Sequence, residues 1–397
     1  MLDTLPPEIF GRVLEIAIEI WGIGFLPPVR LVSRTCNDVV ASTPSLWGII
    51  TLGRPFDLTV LQKQLERAKQ SDIRLSYPRK GFPMREKRFV RLFDQLLTLT
   101  DNWIRAELTT ELLAKTHASR LPRLSSLDVR GNLELLPESF FDSRLPALHS
   151  LALSHVREMD GWRTGFFSPH ITDFTLGFCA PRSTTLIRQA LSLLPNLYSL
   201  HFENLAFYHV FTAQSPIKLA ALHHLEVINC LHATGLLLEI CAPNLRVLSI
   251  RGASTNIEMA LILADWSQPT CIPTHLQSLE LWDVLKGSDS AYLVRYIERL
   301  PSLIRLMVSH NDLDGLDEFE VLVHALAKPE VCPMLEHLCL DIPLHTVDAI
   351  SIAKLRRKRL RSVQIQLCAG GTQEEADEFR SYLACDVRCM CLSCSFN

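Results

Sequence analysis

The chain has 397 residues, 48% of them hydrophobic, and 40 Lys and Arg against 43 Asp and Glu leave a formal net charge of -3. This near balance, with a pI near 6.5, gives no electrostatic reason to expect nucleic acid or an anionic membrane surface as a partner. The most apolar candidate for a membrane span, residues 13–26, is too short and carries Glu15 and Glu19, so no bilayer crossing is expected.

The first fifty residues read as a small all-α module. Leu5-Pro6-Pro7-Glu8-Ile9 opens a helix with proline in its first turn, and Ile9, Val13, Ile16, Ala17 and Ile20 recur at helical spacing. A second helix is expected over residues 29–40, entered after Pro27 and Pro28. Pro44 then breaks the pattern before the bulky anchor Trp47. No basic segment followed by an apolar core opens the chain, so no secretory signal is expected.

Three ordered pieces, Leu5-Pro6-x-Glu8-Ile9, Leu31-Val32-Ser33-Arg34 and Ser45-Leu46-Trp47, make this stretch resemble an F-box. It departs from that family at Cys36, where Trp is commonest, and in its long hydrophobic link from Glu19 to Pro28. The resemblance implies docking onto the Skp-family adaptor of a cullin-based ubiquitin ligase. Leu5, Pro6, Ile9, Val13, Leu31 and Val32 would be the contacts or their direct support. The plainer alternative is a helical cap that covers the open end of a repeat array and joins no ligase.

Residues 51–100 read as a linker with a degenerate first repeat. Leu61-Gln62-Lys63-Gln64-Leu65-Glu66-Arg67-Ala68 suits a polar-faced helix, residues 72–76 a worn strand, residues 76–88 an exposed loop, and Phe89, Leu92, Phe93, Leu96 and Leu97 a further helix. Trp103-Ile104-Arg105-Ala106-Glu107-Leu108 then lies one unit before the first clear repeat. An F-box followed by such a helix and strand resembles the large F-box families of mushroom-forming fungi, and the array can be traced back to Ile73.

Residues 101–370 carry the clearest pattern. Leu124-Ser125-Ser126-Leu127-Asp128-Val129-Arg130-Gly131-Asn132 has the spacing L-x-x-L-x-L-x-x-N, and its first position recurs at Leu148, Ile171, Leu197, Leu222, Leu245, Leu276, Leu303, Leu335 and Leu360, at intervals of 23 to 32 residues. A period of that size belongs to stacked arrays, and two apolar residues separated by one read as a short strand with one buried face. Asn or Cys fills the eighth place on in five copies, Asn132, Cys179, Cys230, Asn311 and Cys368, where it should turn inward and satisfy backbone of neighbouring coils. Val156, Leu205, Ala253, Val284 and Pro343 fill it elsewhere, so distorted coils are expected there. The pattern resembles irregular, Cys-tolerant leucine-rich repeats. The fold class is therefore α/β: a small helical module followed by a solenoid with parallel strands on its concave face and helices outside.

Return helices are expected around Leu186, Ala190 and Leu191, around Leu293, Val294 and Ile297, and around Phe319, Leu322, Val323 and Leu326, with Asp317 and Glu320 as a capping box for the last. Residues between the buried strand positions point to the concave surface. Arg130, His201, Glu203, Glu226, Arg251, Glu280, Trp282 and Asp341 fall there, a mixture of charge and aromatic surface suited to a protein substrate.

Residues 371–397 form a C-terminal cap or tail, with Cys385, Cys389, Cys391 and Cys394 clustered; zinc is the minority reading for them. The other eight of the 12 cysteines are scattered singly, as buried reduced thiols would be. Lys354-Leu355-Arg356-Arg357-Lys358-Arg359-Leu360-Arg361 reads as the exposed flank of the last full repeat ahead of a nuclear import signal. His223, His224, Cys230 and His232 have metal-binding side chains but alternate between inward and outward places. No phosphate loop, dinucleotide fingerprint, nucleophile elbow or zinc-protease motif occurs, so no enzyme activity, metal or cofactor is expected. The reading is a substrate-recognition subunit of a Skp-cullin-F-box ligase, cytoplasmic or nuclear, with a non-ligase interaction scaffold as its alternative.

Overall fold

A computed structural model describes residues 5–52, 58–77, 87–116, 120–131, 133, 136, 145–156, 167–179, 184–207, 216–252, 257–267, 272–310, 319–344, 346–356, 358–367, 381 and 387–389. They fall into two compact units, Met1–Ile171 and Thr172–Asn397.

The first unit opens with three helices, α1 (Pro7–Trp21), α2 (Leu26–Arg30) and α3 (Arg34–Ser42). Proline in the first turn of α1 loses no intrahelical bond, and Gly22 ends the helix by donating its N–H to Ile18 at 2.7 Å. The single helix expected over residues 29–40 is two. Ser33 adopts extended backbone (φ -156°, ψ 166°) and its side chain accepts from the Cys36 N–H, so α3 starts afresh behind a serine cap. The interruption leaves Leu31 and Val32 outside any helix and exposed.

The core of this module is Phe10, Leu14, Ile18, Leu26, Cys36, Val39, Val40, Leu46 and Trp47, and it runs on into Ile49 and Ala68. Trp47 is fixed by its Nε1–H on the Val40 carbonyl at 3.1 Å and by the Arg67 guanidinium 4.4 Å from its ring centroid. The apolar residues noted at helical spacing along α1 divide between two faces. Ala17 is buried, but Ile9, Val13, Ile16 and Ile20 are 47 to 65% exposed, and Phe10, Leu14 and Ile18 point inward instead. Both sets satisfy helical spacing, so the helix has two apolar faces and only one core to fill.

Five parallel strands follow: β1 (Ile49–Thr51), β2 (Ile73–Ser76), β3 (Trp103–Thr109), β4 (Ser126–Arg130) and β5 (Ser150–Ser154). Each pairs with the next. The ladder thus starts at Ile49, one strand earlier than the repeat is traceable. Helices α4 (Leu58–Ala68), α5 (Lys87–Leu97) and α6 (Thr110–Lys115) lie between strands. Gln64 of α4 secures the junction by donating to the Trp47 and Ile49 carbonyls at 3.0 and 2.9 Å. Gly48 is required there, because a Cβ would lie 2.2 Å from the Asp72 carbonyl oxygen.

The described residues of the second unit carry a ladder of nine parallel strands: β6 (Asp173–Gly177), β7 (Ser199–Glu203), β8 (His224–Ile228), β9 (Val247–Arg251), β10 (Ser278–Trp282), β11 (Arg305–Ser309), β12 (His337–Leu344), β13 (Ser362–Leu367) and β14 (Val387–Cys389). They pair in that order. A two-residue pair, Ile217–Lys218 with Ile240–Cys241, lies apart from this ladder. Return helices are α7 (Thr184–Ser192), α8 (Thr234–Glu239), α9 (Met259–Trp266), α10 (Ser290–Ile297), α11 (Glu320–Ala327) and α12 (Thr346–Arg356). The apolar residues expected in α10 and α11 are all buried, as are Ala190 and Leu191 of α7. Asp317 lies outside the described residues, and α11 begins at Glu320 with Phe319 before it.

Every repeat marker from Leu124 to Leu360 is buried, as are the strand residues three and five places on that are described. A corner follows seven of the described strands. Gly131, His155, Phe178, Asn204, Asn229, Gly252 and Asp283, all seven places after the marker, have φ between 50° and 149°. Turning there aims the N–H of six of them at the next coil: Gly131 donates to Ser154 O at 3.3 Å, Phe178 to Glu203 O at 2.8 Å, Asn204 to Ile228 O at 2.8 Å, Asn229 to Arg251 O at 2.7 Å, Gly252 to Trp282 O at 3.0 Å and Asp283 to Ser309 O at 2.9 Å. One place further, buried Cys179 and Cys230 donate their thiols to carbonyls of their own strands, Gly177 O at 3.0 Å and Ile228 O at 3.4 Å, and Cys230 also meets the backbone of Leu205 on the adjoining coil, so cysteine there satisfies backbone of its own strand and of its neighbour. Val156, Leu205 and Val284 are buried at the same place; Asn132, Asn311, Ala253 and Cys368 lie outside the described residues. In-register parallel strands, buried leucines at the coil period and helical returns make this a leucine-rich-repeat architecture behind an N-terminal helical region.

Candidate functional site

In the first unit, the residues carried over as adaptor contacts are all exposed: Leu5 at 38%, Ile9 at 53%, Val13 at 47%, Leu31 at 88% and Val32 at 66%, with Pro6 exposed beside them. Ile16, Ile20 and Trp21, which sequence reasoning did not include, are exposed by half or more. Ile9, Val13, Ile16 and Ile20 stand at i, i+4, i+7 and i+11 and therefore share one face of α1. Single exposed apolar residues are ordinary; four on one helix face are not.

Beneath that face α1 is clamped to the strand layer through Glu15, whose carboxylate accepts from Arg12 at 2.5 Å, Ser45 at 3.0 Å and Arg74 of β2 at 3.2 Å. Burial alone would raise its pKa, but the Arg12 hydrogen bond, the Arg74 charge and the Ser45 hydroxyl outweigh it and hold the carboxyl below its ordinary value. Arg74 also reaches Glu19 at 3.4 Å.

The strand face of the same unit carries a compact acid and base group. Arg130 lies 3.1 Å from Asp128 and 3.5 Å from Glu107, and donates to the Tyr77 carbonyl at 3.3 Å. Burial, and then the charge of Asp128, push the Glu107 carboxyl above its usual range despite Arg130 and Arg105. Arg130 is thus occupied within its own unit. Glu107 escaped the sequence reading because its strand precedes the first clear repeat.

On the strand face of the second unit, register sets the expected residues in rows. His201, Glu226, Ser249, Glu280, Met307, Cys339 and Gln364 follow one another along the middle row, and Glu203, Ile228, Arg251, Trp282, Ser309 and Asp341 along the next. Neighbours stand about 4.8 Å apart, so charges of opposite sign pair across strands. His201 Nδ1 lies 2.9 Å from Glu226, Arg251 3.8 Å from Glu226 and 2.6 Å from Glu280, and Arg305 3.8 Å from Glu280. Glu203 approaches His201 at 3.9 Å. The structure therefore brings His201, Glu203, Glu226, Arg251 and Glu280 into one alternating chain of charge. Arg305 completes it, one row earlier than the places sequence reasoning considered.

Trp282 is Arg251's cross-strand partner in register, and its indole N–H is buried without a hydrogen-bond partner among the described residues. Asp341 accepts from Ser309 Oγ at 3.2 Å. Where β11, β12 and β13 adjoin, a cleft of about 190 Å³ opens, with Arg305 and His337 among its walls.

Other candidates have structural partners. His223 stacks on Tyr198 at 4.6 Å and reaches the Ala221 carbonyl at 2.7 Å, and among the described residues no group of three or more His, Cys, Asp or Glu could hold a metal. Cys230 is buried, which pushes its thiol up to about 11. The basic run is not uniformly exposed: Arg356 is buried and donates to the carbonyls of Lys328 at 2.5 Å and Cys332 at 3.2 Å and to those of Leu326 and Val331, closing the end of α11. The side chains of the C-terminal cysteine cluster lie outside the described residues. Among the described residues no helix is long and apolar enough to cross a membrane.

No protein-family model matches the chain, and no curated protein matches it. Among solved structures it is similar to TLR13 in its complex with ssRNA13, at 15% identity and a TM-score of 0.41 over 79% of this chain. A leucine-rich-repeat protein of Leptospira interrogans matches over 74% of this chain and 98% of its own, at 13% identity and a TM-score of 0.23. The chain spans about half the length, 48%, of the TLR13 chain.

Proposed function

We propose that this chain is the substrate-recognition subunit of a Skp-cullin-F-box ubiquitin ligase, docking the adaptor through its N-terminal helical module and holding a protein substrate on its strand face. The observation that carries the reading is the second apolar face of α1, Ile9, Val13, Ile16 and Ile20, exposed on a module whose core is complete without it. Burying a Val or Ile side chain releases about 1.5–3 kcal/mol, so a partner with an apolar groove would gain from covering this face. Leu31 and Val32, thrown outside the helices by the Ser33 cap, extend the apolar surface offered by the same module.

No bond chemistry is assigned to any residue, and no metal or cofactor is part of the proposal. The contribution would be geometric: a substrate held on this chain is kept at high effective concentration near a ubiquitin-loaded enzyme elsewhere in the complex. Protein is the proposed ligand because the strand face alternates charge, whereas a nucleic acid would call for a continuous cationic track. Cytoplasm or nucleus is the compartment such a ligase needs.

A second reading, a scaffold whose helical module merely caps the strands, is favoured by the way the module's core runs into Ile49 and Ala68. The two roles use opposite faces of α1. The test is co-purification from cell extract: adaptor and cullin are expected with the native chain and absent with the I9D/V13D double variant, at unchanged circular dichroism. Recovery of cullin with that variant, or its absence with the native chain, sinks the ligase reading.

A further inference from the structure

We infer that the cleft across β11, β12 and β13 is a subsite for one acidic side chain, a carboxylate or a phosphomonoester on a short apolar stem, presented by a bound protein segment. The inference rests on the reading of the strand face as the partner-holding surface and goes beyond it by naming what one position of that partner must carry.

The cleft follows from register. Arg305, His337 and Ser362 occupy equivalent outward places on three successive strands, and Met307, Cys339 and Gln364 the next outward places. Cys339, the shortest side chain of the second row, stands between two longer ones, and the dip it leaves opens to about 190 Å³. That is many times the ~10–15 Å³ a single water needs. The floor is therefore soft and uncharged: the Met307 thioether and a thiol that burial, followed by the charge of Asp341, pushes up to about 11. Such a floor suits the methylene stem of a side chain and offers nothing to a metal or an electrophile at neutral pH.

The rim is cationic and donor-rich, with no carboxylate among the residues that line it. His337 Nδ1 lies 3.0 Å from Ser362 Oγ, which fixes the ring and leaves Nε2 as the nitrogen able to meet a ligand. Arg305 is the end of the charge chain. Glu280 takes Arg251 on one carboxylate oxygen at 2.6 Å and stands 3.8 Å from Arg305 with the other, beyond hydrogen-bond reach; the Arg305 Nε–H donates to the Met307 sulfur at 3.2 Å, and the side chain is 51% exposed. Farther along this face His201–Glu226 and Arg251–Glu280 close at 2.9 and 2.6 Å; here a guanidinium, an imidazole, a hydroxyl and an amide adjoin one cleft that no carboxylate lines. A forked donor beside an imidazole is the arrangement that recognises carboxylate and phosphate oxygens.

The test uses the full chain labelled at its methionine methyls, with the Met307 resonance identified by M307L. The probes are acetyl-phosphoserine amide, acetyl-glutamate amide, their capped serine and capped lysine counterparts, and inorganic phosphate. Movement of the Met307 signal by at least one capped acidic residue is expected, with half-saturation on the order of 1 mM, and capped serine and lysine should leave it in place. R305Q/H337Q should weaken the response about tenfold, both being exposed or half-exposed positions whose change leaves the core intact. The stronger of the two acidic probes assigns the source of the anion. No movement by either at ~10 mM, an undiminished response in R305Q/H337Q, or inorganic phosphate binding as tightly as the capped residues would overturn the inference. Substrate capture by the full chain, with and without R251E and W282A, reads the strand face as a whole, so a failed subsite and a failed face give different results.

Discussion

Helix α1 and the return helix α10 solve different problems with similar residues. α10 buries Leu293, Val294, Tyr296 and Ile297 and leaves one large apolar residue, Tyr292, partly exposed. α1 buries Phe10, Leu14, Ala17 and Ile18 and leaves four more aliphatic residues on its other side. A return helix needs one apolar stripe, because its far side meets water; a helix with two has a second surface to satisfy. The contrast teaches that hydrophobic content marks partners only after the core's share has been subtracted.

The sharpest way to break the comparison is to cut each stripe of α1. L14A should cost about 2–5 kcal/mol, while I16A should cost less than about 0.5 kcal/mol and weaken adaptor binding instead. Urea midpoints and a pull-down read the two effects, and equal destabilisation would erase the distinction between the faces. Next comes the basic run, where burial again separates neighbours. R356M strands several buried carbonyls and should cost about 2 kcal/mol or more, whereas K358M, at an exposed position, should stay within about 0.5 kcal/mol.

The corners extend the contrast to the backbone. G252A, at φ 149°, should lose about 1–2 kcal/mol, while N229G, at φ 50°, should be neutral or better. The smallest effects concern two carboxylates of the first unit whose burial has opposite outcomes. Glu15 is held below its ordinary pKa, so its contribution is present above the unfolded value near ~4.3 and is lost as pH falls through its folded value. Glu107 is raised, so its ionisation opposes folding above its folded value, and that penalty vanishes on acidification below ~4.3. Thermal midpoints against pH should therefore show E15Q destabilised at neutral pH and converging with the native chain in acid, with E107Q neutral or stabilised at neutral pH.

How much of this was written legibly in the chain depends on the length scale. Strand phase was readable because a buried leucine every coil is a demand no other residue type meets, and the helices around Leu293 and Leu322 followed from spacing alone. The inward face of α1 was not, since Phe10, Leu14 and Ile18 compete with Ile9, Val13, Ile16 and Ile20 for the same periodicity and only packing against Leu26, Val39 and Trp47 decides. The break at Ser33 was masked by apolar spacing that continues across it. Corners escaped notice because glycine holds two of them while His155 and Phe178 hold others without any compositional cue. For the strand face, membership was legible and pairing was not: that Arg251 spends itself on Glu280 and leaves Arg305 at the end is a matter of distances.

The left-handed corners also explain how the chain tolerates copies of unequal length. Six of them lock their strand ends to the adjoining strand by a main-chain bond before the return segment begins, and behind these six the spacing from one marker to the next ranges from 23 to 31 residues. Alignment is thereby uncoupled from what lies between. Lengthening or exchanging a return segment alters the outer layer and its loops while every row on the opposite side keeps its place, which lets a lineage redesign one side of the protein without rewriting what the other side recognises.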